Sequence, residues 1–156
     1  MMDEQKQLRE HLLELLEGES AHIKLETLIG GFPLDQINDR PDGSPHNAWE
    51  LLEHIRIAQW DILEFCRNPT HVSPKWPDEY WPKADATALD WQNSVEHVFG
   101  DLQALRDLAA DEKTDLFAKI PHGDGQTILR ELLLVADHNA YHLGQLMLVK
   151  KMLKAE

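Results

Sequence analysis

The chain has 156 residues, 42% apolar and 28% charged, an ordinary make-up for a globular protein long enough to bury a core without staples. Its net charge of −13, from 28 acidic against 15 basic residues, repels phosphates overall, which disfavours nucleic acid and, for the same reason, an anionic membrane surface. No apolar run approaches the ~18 residues of a membrane span. The polar start MMDEQKQLREH lacks the apolar stretch of a secretory leader, and the single cysteine, Cys66, forms no intramolecular disulfide. The expectation is one cytoplasmic domain, 1–156, with neither nucleic acid nor membrane as partner.

Periodicity predicts helices throughout. Leu8, Leu12, Leu15 and Leu16 form an apolar stripe that Gly18 interrupts. A shorter helical piece resumes from Ser20, using Ile23, Leu25, Leu28 and Ile29, and ends at Gly30-Gly31. Residues 31–45, rich in Gly, Pro, Asn and Asp, read as a loop with one turn of helix after Pro33. The second long helix is expected to open at Ser44-Pro45, a capping residue followed by proline at the first helical position. It runs through HNAWELLEHIRIAQWDILEFC, burying Leu51, Ile55, Ala58, Ile62 and Phe65, and stops before Asn68-Pro69.

THVSPKWPDEYWPKADA follows, a structured loop whose aromatic residues need something to pack on. A third long helix, Thr87 to Ala110, carries Trp91, Val95, Val98, Leu102, Leu105 and Ala109 on one face. PHGDG at 121–125 is a break. The fourth long helix, capped by Asp124, is expected from Gln126 to Leu153. Four long helices with connections of modest to long length make an all-α fold, a four-helix bundle with short accessory helices.

Nine histidines are many for this length, and their placement is informative. His138 and His142, in ADHNAYHLGQL, stand four residues apart on one helix face, so both rings can reach one metal ion. Val135, Gln145 and Val149 share their column. The residue after His138 is Asn139, so the glutamate that serves as general base in HEXXH proteases is missing. Read alone, the pair is as compatible with satisfied core histidines as with metal ligands. His54 changes the balance: it lies between Leu51 and Ala58 on the core-facing side of the second long helix. Bundles build metal sites from inward side chains on facing helices, and three imidazoles leave at least one coordination position open. Such a set suits Zn, Ni, Fe or Co.

The remaining candidates are weaker. His11, His22 and His97 fit solvated or half-buried faces, and His46 is expected to bond a backbone group at the helix start. His71 and His122 lie in loops from which either could enter a site mouth, though nothing in their spacing asks for it. Glu131 shares the column of His138 seven residues upstream; it reads as an exposed surface glutamate, with a place behind the metal ligands as the sharper alternative. Cys66 lies twelve residues beyond His54, a rise of ~18 Å, too far for a shared metal, and reads as a buried thiol. The loop from Trp76 to Trp81 either walls a pocket or packs over a bundle end. No residue stands out as a general base.

Two segments, WELLEHIRIAQWDILEF around His54 and TILRELLLVADHNAYHLGQLMLVKKML around His138 and His142, resemble the DinB superfamily of DinB/YfiT-like proteins. The likeness extends over nearly the whole chain, including KWPDEYWP. It implies an up-down-down-up four-helix bundle, often a homodimer, holding a divalent metal (Zn or Ni foremost, with Fe, Co or Mn admitted) on His54, His138 and His142. Related families include thiol-dependent transferases and isomerases, so the resemblance points to a metal-dependent enzyme, a transferase or hydrolase acting on an unidentified small molecule. A non-catalytic metal-binding or stress-response module is the alternative. One departure is the ending VKKMLKAE, where many relatives carry an arginine-rich turn and a glycine.

Overall fold

The computed structural model describes residues 2–18 and 20–154, so Ala155 and Glu156 of VKKMLKAE lie outside the described residues. Its α-helices are α1 (Met2–Glu17), α2 (Leu25–Gly30), α3 (Ala48–Arg67), α4 (Ala88–Ala110) and α5 (Ile128–Leu153). Single 3₁₀ turns occur at Leu34–Gln36, as expected after Pro33, and at Asp78–Tyr80.

The helix starts are decided by which side chain can satisfy the free N–H groups of the first turn. For α3 that residue is Asn47, three positions later than expected. The Asn47 side chain accepts from the Glu50 N–H at 2.8 Å, and Glu50 Oε2 accepts from the Asn47 N–H at 3.1 Å, a reciprocal pair. Ser44 has no carboxylate three residues on, and its hydroxyl instead donates to the His46 carbonyl. Thr87 and Asp90 form the same reciprocal cap on α4. For α5 the cap is Thr127 rather than Asp124, because the Gln126 carbonyl is already taken by the Ile120 N–H at 2.8 Å. The piece expected from Ser20 begins only at Leu25 and leaves Ile23 exposed. Gly18, with φ at +71°, ends α1 in the left-handed conformation that glycine adopts without penalty.

Cross-helix bonds fix the directions of the chain. Ser94 donates to Glu53 and Gln59 donates to the Val98 carbonyl, so α3 and α4 run parallel. His54 faces His142 while Gln59 takes a bond from Asn139, so α5 runs antiparallel to α3. Arg9, midway along α1, donates to the carbonyl of Ala109 near the end of α4, while Leu15 and Leu16 lie with Phe99 and Leu102, so α1 runs antiparallel to α4. The result is an up-down-down-up bundle, with α1 and α3 each packed against α4 and α5.

The apolar stripes form two clusters. One gathers α2, the first half of α3 and the second half of α5, around Leu51, Leu52, Ile55 and Leu146. The other gathers α1 with the later part of α3 and α4 and the first half of α5, around Leu12, Leu16, Leu105 and Leu132. Some expected core positions sit at the edge: Leu15 is exposed, and Ile62 and Phe65 are half-buried. The 120–125 turn lies directly on the end of α3. A Cβ at Gly123 would come within 2.8 Å of the Phe65 ring, and His122 Nε2 bonds the Phe65 carbonyl.

Candidate metal centre

His54 sits two turns into α3 and is 2% exposed. Its Nδ1 donates to the Tyr80 carbonyl at 2.9 Å. A carbonyl can only accept, so the ring's proton is on Nδ1 and Nε2 keeps its lone pair. The Trp81 indole lies flat on the imidazole, with ring centres 4.0 Å apart and planes 1° from parallel. The His46 ring covers the other face of Trp81 at 4.1 Å. That is its role, together with a 3.4 Å approach to Glu50, and not the backbone bond expected from sequence.

From α5, His138 and His142 reach the same point. His142 is buried and its Nδ1 donates to Gln145 Oε1 at 2.6 Å, which again frees Nε2. His138 is half-buried, and its Nε2 stands 3.1 Å from Nε2 of His54. The three residues offer ligand atoms that all lie within 4.8 Å of one another. They can therefore hold one metal ion.

The donor chemistry fits a divalent cation. Two Nε2 atoms that face each other at 3.1 Å need a positive charge or a shared proton between them. Burial, with the neighbouring imidazoles, pushes His138 down to about 3, against the small opposing effect of Asn139. Burial likewise takes His142 down to about 4 despite its bond to Gln145, and lowers His54. All three rings are therefore neutral at pH 7, the form that ligates metal.

Behind these rings stands a support that the sequence pattern did not reveal. Asp61, two turns beyond His54 on α3, accepts from the Tyr80 hydroxyl at 2.6 Å and bonds His71 Nε2 at 2.7 Å. One carboxylate thus clips both ends of the 71–80 loop, and that loop delivers the Tyr80 carbonyl to His54. Because the last link is a backbone atom, no pattern of side chains could announce it. The spacing of Asp61, seven residues after His54, was the one available signal.

The aromatic loop packs on the bundle as well as on the histidines, for Trp81 lies against the apolar cluster of α2, α3 and α5. Trp81 and Tyr80 contact His54, and Trp76, 71% exposed, stands outside them with its ring 6.3 Å away. Other histidines take no part in the cluster: His11, His22 and His97 are exposed. Glu131 is a correction, for it is 2% exposed rather than on the surface, and Arg130 Nη1 bonds it at 2.6 Å. Burial and the nearby Glu131 push the Cys66 thiol up to about 12, so at neutral pH it is an inert, protonated group.

The model of the DinB superfamily matches residues 17–146, which include all three histidines. The chain belongs to the DinB superfamily. Searches of curated proteins and of solved structures return no match. Family membership and the convergent histidines together point to metal binding. No helix among the described residues is long and apolar enough to cross a membrane.

Proposed function

We propose that this DinB superfamily member binds one divalent metal ion through His54, His138 and His142 and is a metal-dependent enzyme acting on a small molecule. Zn or Ni is the favoured ion, with Fe, Co and Mn admitted by the same donors. One observation carries the reading: three neutral imidazoles, two buried and one half-buried, present their donor atoms within 4.8 Å, and two have their Nδ1 protons committed elsewhere. When bound, such an ion supplies Lewis acidity and lowers the pKa of a coordinated water or thiol.

The chain's own part is to prepare that site. Tyr80 and Gln145 set the tautomers of His54 and His142, which fixes where the lone pairs point. Trp81 covers His54 and keeps water from its ring face, while Asp61 holds the covering loop. Three protein ligands are one fewer than a closed tetrahedral site requires, so room remains for a substrate group. Within this reading the chemistry is a thiol-dependent transfer or a hydrolysis, the protein works in the cytoplasm, and it forms a homodimer.

A second reading, a non-catalytic metal-binding or stress-response module, has a specific observation in its favour. Among the described residues the ligand cluster contains no carboxylate, and Asp61, which supports the covering loop, is committed to Tyr80 and His71. Metal analysis of purified protein tests both readings: about one equivalent is expected in the wild type and none in His142→Ala. A wild type that holds no metal after reconstitution overturns both. Turnover of electrophiles with a panel of low-molecular-weight thiols, or of ester and amide substrates, then separates them; metal-loaded protein inert throughout is the binding module.

A further inference from the structure

Two exposed aromatic rings stand beside the histidine cluster. Trp76 is 71% exposed, yet its ring lies 6.3 Å from that of the buried His54 and 5.3 Å from that of Tyr80. Tyr141, in α5, is 65% exposed, and its ring meets that of His142 edge-on at 4.9 Å. It follows the half-buried His138 by three residues, which puts it next to the least covered of the three ligands. A loop and a helix thus each place a ring in water directly beside the donor atoms.

A single apolar side chain on a surface is commonplace and calls for no ligand. Trp76 differs in how it is held. The Lys75 N–H donates to Glu79 Oε2 at 2.7 Å and the Glu79 N–H to the Lys75 carbonyl at 3.0 Å, a closed turn around the tryptophan. Asp61 ties the same loop down through His71 and Tyr80. The indole is therefore fixed while most of its surface stays in water, and a surface already fixed loses little entropy on binding. The polar atoms around it are spent. The Tyr80 hydroxyl donates to Asp61, its carbonyl takes the His54 proton, and Gln145 Oε1 takes that of His142. What these groups leave for a substrate is ring surface.

We propose that the substrate of this centre carries a planar aromatic group next to the atoms that bind the metal, and that Trp76 and Tyr141 receive that group. The inference rests on the metal binding proposed above and adds the class of molecule. A saturated body would gain burial alone, whereas a flat ring also gains an offset or edge-on ring contact. A cationic body, which such rings equally attract, would meet the charge of the bound metal at short range.

Calorimetric titration of zinc-loaded protein with benzohydroxamate, cyclohexanecarbohydroxamate and acetohydroxamate tests this, because the three share a metal-binding group and differ in the body attached to it. Benzohydroxamate should bind about fivefold more tightly than the cyclohexyl compound and more than about tenfold more tightly than acetohydroxamate. Trp76→Ala should weaken benzohydroxamate by about tenfold and remove most of its lead, Tyr141→Ala should do so to a smaller extent, and Trp76→Phe should keep most of it. Val72→Ala, in the loop leading to Trp76 and 83% exposed, should leave the order and spacing of the three affinities as in the wild type. Metal-loaded protein that binds none of the three, binds all three alike, or keeps its wild-type discrimination in Trp76→Ala overturns the proposal and leaves metal binding standing. Discrimination lost in Val72→Ala overturns it too, since the order of the loop and not the ring would be the cause. Protein that takes up no zinc or other divalent ion overturns the proposal and the metal binding together.

Discussion

Around Leu132, α5 packs against Leu12, Leu16, Leu105 and Ala109 in an apolar cluster. Ten residues further along, the same helix buries His142 against His54, with Gln59 and Ser94 also inside. The first region closes by the hydrophobic effect alone. The buried Glu131 there is answered by Arg130 from the neighbouring position. The second region is closed by polar atoms that satisfy one another only in part: the carbonyl of Tyr80 and the amide of Gln145 take one nitrogen each, and three further donor atoms are left facing inward. One end of the bundle is finished by packing, and the other is prepared for something to be added.

Substitutions should separate the two ends. The largest effect expected is on metal: His142→Ala should abolish stoichiometric binding, read by plasma emission spectroscopy, and remove any chelator-sensitive part of the melting temperature. In the wild type, metal at a hundredfold excess over its Kd should add about 2.7 kcal/mol to stability, which EDTA should withdraw. Leu132→Ala acts in the opposite region; a fully buried leucine truncated there should lose ~2–5 kcal/mol in denaturant unfolding with metal stoichiometry intact. If Leu132→Ala also lost its metal while still folded, the two ends would not be independent.

Asp61→Ala should sharpen the contrast, weakening metal by about tenfold through release of Tyr80 and His71, with a smaller effect on unfolding. A competition titration against a chromophoric chelator reads this directly. Smallest is Asn47→Ala, which removes the reciprocal cap of α3 and should cost ~1 kcal/mol.

Acid should also act on the histidine end. In the metal-free protein, His138 and His142 are pushed down to about 3 and about 4 from the ordinary 6.5. Between those values the unfolded chain binds more protons than the folded one, so stability rises with pH across that window and is flat above it. Unfolding midpoints measured from pH 7 down to 4 should therefore fall, and His138→Asn should flatten the slope. An unchanged slope would show that these rings do not titrate with folding.

Much of this was readable along the chain. A period near 3.6 placed all four long helices, and the i, i+4 spacing of His138 and His142 put both rings on one face before any fold was known. Local chemistry also carries the caps, yet Ser44 and Asp124 misled, because capping is a competition among neighbouring polar residues. Asn47 won through its pairing with Glu50, and Thr127 through the prior commitment of the Gln126 carbonyl. Glu131 misled for a related reason: a glutamate early in a helix is usually solvated, and only the packing of α5 shows this one enclosed.

What the sequence determined by itself is therefore local: which segments are helical, which faces are apolar, and which three histidines point inward. Only the tertiary structure decided that His54 meets His138 across 84 residues at 3.1 Å, and that Tyr80 reaches back to hold it. The physical reason is the range of the interactions. Helical periodicity and ligand spacing are set by neighbours three or four residues away, whereas the tautomer of a buried imidazole depends on groups that only packing brings near.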